Sequence, residues 1–215
     1  MIEAPQVTCE ERSHPPRVVM IIVDASGIGR AAAARLAGHG HLVLIGSREL
    51  ESTERLAAQL RARGGSAFAA RLDLTDPHSI NGFLAAAEYL IGTPDVLITD
   101  LGLAAPGSRA HGVRVGAQIL AARVIPAMIA RGRGDVVLVG PELAGARGAA
   151  ARREFDAWSA ALDAEFVGTQ MRASTVRSAQ PGAASSADAG HLLAAMITGA
   201  RLCLVELLPP AVPAR

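Results

Sequence analysis

The 215-residue chain carries 21 basic residues, every one an arginine, against 20 acidic ones, for a net charge of +1, and half of its residues are hydrophobic. That size suits one domain with a sizeable core. The interspersed charge offers no basic stripe for a nucleic-acid backbone, no apolar run near the ~18 to 20 residues of a membrane-spanning helix is expected, and two cysteines with scattered histidines give no basis for a disulfide or metal site.

Residues 1–17 are polar, with Glu3, Glu10 and Glu11 among prolines, and read as a flexible head rather than a leader, so a cytoplasmic protein is expected. The domain proper is expected over 18–207. Its first apolar run, 18–23, leads into Val23-Asp24-Ala25-Ser26-Gly27-Ile28-Gly29-Arg30 and then into helical spacing over 31–36. His39 and His41 fall at the end of that helix, where they cap or solvate the turn. A second apolar run, 42–45, ends in Gly46-Ser47-Arg48, and a helix over 50–63 stops at Gly64-Gly65. The run 67–72 gives way to Asp73 and Leu74. There Asp76 is placed to cap a helix, Pro77 takes its first position, and Ile80, Phe83, Leu84, Ala87 and Ile91 line one face.

Further apolar runs follow at 96–99, 136–139, 173–178 and 202–207, and a proline-bearing tail closes the chain at 208–215. Short strands alternating with helices imply parallel pairing through crossovers. The expected architecture is α/β: a single doubly wound, mostly parallel sheet with helices on both faces.

The turn after the first strand combines glycines with a helix start, where backbone N–H groups favour an anion. Alone it is weak evidence, because a tight strand-to-helix turn wants glycine for structural reasons too. Its neighbours add weight. Ser26-Gly27-Ile28-Gly29, Leu72-Asp73-Leu74, the run from Asp95 to Gly102, Ile125-Pro126-Ala127-Met128, the run from Gly134 to Val139 and Pro181-Gly182 occur in the order of the landmarks of the short-chain dehydrogenase/reductase family. From about residue 18 to residue 182 the chain resembles that family.

The resemblance implies a Rossmann-type domain and a dinucleotide site built from Ser26, Gly27, Ile28, Gly29, Ser47, Arg48, Asp73 and Leu74. Ser47 and Arg48 stand where the family places a pair suited to the 2′-phosphate of NADP(H), and no carboxylate there selects a ribose hydroxyl; Asp73 matches the aspartate that holds adenine. The departures fall where the family keeps its chemistry. Val113, Pro141, Phe155 and Ser159 stand in place of the Asn-Ser-Tyr-Lys set. Reduction of a carbonyl needs a proton donor, and a phenyl ring has none. Asp24, near the lost first glycine of the turn, competes with phosphate for the helix start, with Arg30 as a partial offset.

The helix after Ser159 reads about two turns short of the family pattern. That weakens the family's usual dimer seam and leaves Trp158 and Phe166 for a partner's helix. A nearly absent segment after Gly182 leaves little to close over a substrate. Taken together, the residues point to an NADP(H)-type site without hydride-transfer catalysis, in a binding or regulatory role, and to a homo- or hetero-oligomer with a related subunit. Two other readings stand beside it: an interaction subunit that binds no nucleotide, and an NADP-dependent oxidoreductase using unconventional residues.

Overall fold

The computed structural model describes residues 15–23, 27–100, 108–140, 145–178, 186–198 and 204–207. Seven strands and six helices alternate along them: β1 (Val18–Ile22), α1 (Ile28–Gly38), β2 (Leu42–Ser47), α2 (Leu50–Ala62), β3 (Ser66–Arg71), α3 (Pro77–Leu90), β4 (Val96–Asp100), α4 (Ser108–Ala130), β5 (Gly134–Val139), α5 (Gly145–Glu165), β6 (Met171–Ser178), α6 (Ser186–Thr198) and β7 (Leu204–Leu207). All pairings between these strands are parallel, in the order β3-β2-β1-β4-β5-β6-β7. The chain leaves β1 toward one edge and returns to β4 on the other side. The carboxyl ends of β1 and β4 therefore mark the switch point where such sheets hold ligands.

Alternation along each strand splits the core into two layers. Met20, Ile22, Leu44, Leu97, Val136 and Leu138 face α3, α4 and α5, whereas Val19, Ile21, Val43, Ile45, Ile98 and Val137 face α1, α2 and α6. The local signals act as expected at two helix ends. Asp76 caps α3, its Oδ1 accepting the His78 N–H at 2.9 Å, and Gly64 ends α2 in the left-handed region at φ 86°.

Several expectations are corrected. Trp158 and Phe166 are not left for a partner's helix; both are buried in the chain's own core, with Phe155 and Leu162, because α5 lays that face on the sheet. The early end of the helix itself stands: α5 stops at Glu165, six residues past Ser159. An apolar stretch long enough to cross a bilayer does occur, at His111–Ala130 in α4 with mean hydropathy 1.5. It serves as a layer helix, burying Ala117, Leu120, Ala121, Val124 and Met128. His39 takes the C-cap of α1 and the His41 N–H closes the turn on the Leu36 carbonyl at 3.0 Å, but the His41 side chain is not solvated: it is buried, and its Nδ1 accepts the Arg17 N–H at 3.1 Å.

Candidate functional site

The carboxyl ends of β1 to β4 bring most of the expected cofactor residues to one edge. Gly27 precedes α1 at φ 79°, a conformation that side chains resist, and Ile28 begins the helix with its side chain in the core. Gly29 is required by proximity: a Cβ there would stand 2.9 Å from Val23 Cγ1 and 3.1 Å from Asp100 Oδ2. Ser26 and Asp24 lie outside the described residues, as do Pro141 and Pro181-Gly182.

Ser47 closes β2 nearly buried, its Oγ accepting the Glu49 N–H at 3.1 Å and its carbonyl accepting the Leu72 N–H at 2.8 Å. The hydroxyl thus shapes the turn that presents Arg48, which is exposed. Asp73 follows β3. Its Oδ1 accepts both the Thr75 N–H at 2.9 Å and the Thr75 hydroxyl at 2.7 Å, and its own N–H donates to Ser79 Oγ at 2.8 Å. The Thr75 hydroxyl, helped by the Thr75 N–H and the Arg48 and Arg71 guanidiniums, holds the carboxyl below its usual range against the upward push of burial. Leu74, expected at the cofactor, turns its side chain into the core instead. The Arg30 guanidinium donates to Ser52 Oγ at 3.1 Å, in the first turn of α2.

The residue that sequence reasoning missed is Asp100. It ends β4 almost fully buried, and its Oδ2 accepts the Gly29 N–H at 2.8 Å. A carboxylate from the neighbouring strand therefore occupies an amide at the start of α1. The signal lay in the sequence as an acid where the resembled strand ends in asparagines, next to a glycine turn.

Positions 155 and 159 are absorbed into the fold. Phe155 is 2% exposed among Leu120, Val124 and the strand side chains of that layer. One turn on, Ser159 Oγ lies 2.7 Å from Thr175 Oγ1 of β6, a hydroxyl pair linking α5 to the sheet. Val113 packs as a hydrophobic residue within an α4 that is continuous from Ser108. Glu154 is paired with Arg114, whose other guanidinium nitrogen lies 2.9 Å from His111 Nδ1.

Comparison with known proteins agrees with the fold. The short chain dehydrogenase family profile matches residues 17–161. A 2,5-dichloro-2,5-cyclohexadiene-1,4-diol dehydrogenase of Sphingobium indicum is 31% identical over 177 residues, covering 74% of this chain and 71% of that protein. A cis-4-hydroxycyclohexanecarboxylate dehydrogenase of Sinomonas cyclohexanicum is 37% identical over 101 residues, 47% of this chain and 40% of that one. Among solved structures, a metagenomic short-chain oxidoreductase in complex with NADP superposes with a TM-score of 0.81 at 24% identity, over 91% of this chain and 98% of the other. L-Sorbose reductase from Gluconobacter frateurii, complexed with NADPH and L-sorbose, gives 0.67 at 19%, over 76% and 69%. By the span of the profile match and the extent of these likenesses, the chain belongs to the short chain dehydrogenase family.

Proposed function

We propose that the protein binds an NADP(H)-type dinucleotide at the carboxyl ends of β1 to β3 and does not carry out hydride transfer by its family's means, so that its role is binding or regulation. Gly27 and Gly29 open the first turn, and exposed Arg48 offers a bidentate cation for a 2′-phosphate. Such a cofactor would supply or accept a hydride, and the protein would have to give the accompanying proton in reduction or take it up in oxidation. The observation that carries the reading is the burial of Phe155 together with the Ser159–Thr175 pair. Neither position holds a proton donor tuned for a carbonyl, and both side chains are committed to packing.

The relatives named above are dehydrogenases, which supports an oxidoreductase reading as the alternative. Glu154 and His111, both beside the Arg114 guanidinium, would be its acid–base candidates. Equilibrium titration with NADPH and NADH, beside turnover assays on alcohols and ketones, separates the two. NADPH is expected to bind ~10 to 100-fold tighter than NADH, an advantage that Arg48→Ala removes, given about 1.5 to 3 kcal/mol for a charge-assisted contact. Rapid turnover lost on Glu154→Gln would refute the non-catalytic reading, and equal NADPH affinity before and after Arg48→Ala would refute the assignment of Arg48.

A further inference from the structure

We propose that the groove at the amino ends of β5 and β6 binds an amphipathic organic carboxylate, an acid group on an apolar body, at a site separate from the nucleotide edge. The groove measures about 800 Å³, within the size range of small-molecule sites, and lies at the end of the sheet opposite Gly27 and Arg48. Met171, Met196, Phe166 and Val137 line it with apolar surface, and the two flexible thioethers suit a body of irregular shape. Val167 adds to that surface from the loop after α5, where it stands 79% exposed, a large hydrophobic side chain left in water.

Charge selects the head group. Arg133 lines the groove with an exposed guanidinium whose Nε reaches Asp95 Oδ1 at 3.3 Å, while its two terminal nitrogens have no partner among the described residues. That free fork matches a carboxylate in shape and charge. Asp95 is also held by Arg131, so a ligand on Arg133 does not leave it unpaired. The pairing of Gly134 with Met171 sets Gln170 beside Arg133 at the foot of the two strands, and its exposed carboxamide offers a further donor. Arg17 and Arg172 are held on Asp135, and Asp163 also lines the groove. Four arginines therefore stand against three aspartates, an excess of one positive charge that a single carboxylate balances and a phosphate dianion exceeds.

The test is calorimetric titration of the full chain with octanoate, beside 1-octanol as its uncharged counterpart and inorganic phosphate as a bare anion. Octanoate is expected to bind saturably, at least about tenfold tighter than either of the others. Arg133→Gln is expected to weaken octanoate about tenfold while 1-octanol changes by less than about twofold, and Val167→Asp to weaken both. Gln170→Ala, expected to weaken octanoate about threefold, decides the matter if the Arg133 variant fails to fold. Saturating NADPH is expected to leave octanoate affinity unchanged. Absence of saturable octanoate binding overturns the proposal, as does an affinity indifferent to both Arg133→Gln and Gln170→Ala. Displacement by NADPH also overturns it, because the acid would then sit at the nucleotide edge. Phosphate bound as tightly as octanoate overturns it as well, since the apolar surface would then have no part in binding.

Discussion

At position 155 a single atom separates phenylalanine from the family's tyrosine, yet the surroundings make the exchange costly. A phenol at a site 2% exposed would bury a hydroxyl among aliphatic side chains, at about 1 to 3 kcal/mol if it found no partner. A lysine at 159 would in addition break the hydroxyl pair with Thr175. The double variant Phe155→Tyr with Ser159→Lys is therefore expected to lose stability in urea titration and to remain a poor catalyst; a stable, fast enzyme from that change would show that the pocket had survived intact. Asp73 gives a second prediction. Its carboxyl is held below the usual range chiefly by the Thr75 hydroxyl, so its stabilising contribution is present at neutral pH and is lost as pH falls through the ordinary carboxylate range to its lowered folded value. Thr75→Val should flatten the acid limb of a melting-temperature profile taken between neutral pH and pH 3, and an unchanged limb would show that Asp73 contributes nothing there.

Among the elements, α4 shows how one glycine fixes a layer. Gly116 lies directly over the Leu74 carbonyl, and a methyl group there would overlap backbone rather than a flexible side chain. Alanine normally favours a helix over glycine by about 1 kcal/mol. Here the overlap dominates, and Gly116→Ala is expected to destabilise by about 3 kcal/mol or more in denaturant titration; a neutral result would mean that α4 can slide away from the loop after β3. Element boundaries were largely legible because apolar runs, Asp76-Pro77 and Gly64-Gly65 act locally. The fate of the α5 side chains was not. Trp158 and Phe166 read equally well as a face for a partner or for the sheet, since helical spacing records that a stripe is apolar and says nothing of what it meets. The site was legible in the same uneven way. Gly27, Gly29, Ser47, Arg48 and Asp73 come together at one edge through strand order alone, whereas the Asp100–Gly29 contact joins residues 71 apart and Arg30 turns to Ser52, a choice set by packing.

On the scale of the molecule, the opposite end of the sheet is organised by ion pairs rather than by a ligand turn. Asp95 and Asp135, both buried, are met by Arg131 and Arg133 and by Arg17 and Arg172 respectively, beside a groove of about 800 Å³ that Met171, Phe166 and Met196 help to line. That groove opens at the amino ends of β5 and β6, away from Gly27 and Asp100. Arg17 is the widest connector there: besides Asp135 it donates to the Asp95 carbonyl at 3.0 Å and the Ile197 carbonyl at 3.3 Å. Removing it leaves Asp135 with Arg172, so Arg17→Ala is expected to cost about 1 to 3 kcal/mol in denaturant titration, and no measurable loss would show the contacts to be dispensable.

The reach of that one arginine has a consequence for the order of assembly. Its acceptors lie 78, 118 and 180 residues further along the chain. On a ribosome, the segment made first waits for segments made last: the foot of β1 can meet Asp95 and Asp135 on the way, but its tie to α6 forms only once that helix has emerged. The nascent chain must carry the last of the three ties of Arg17 unmade until its final helix is out.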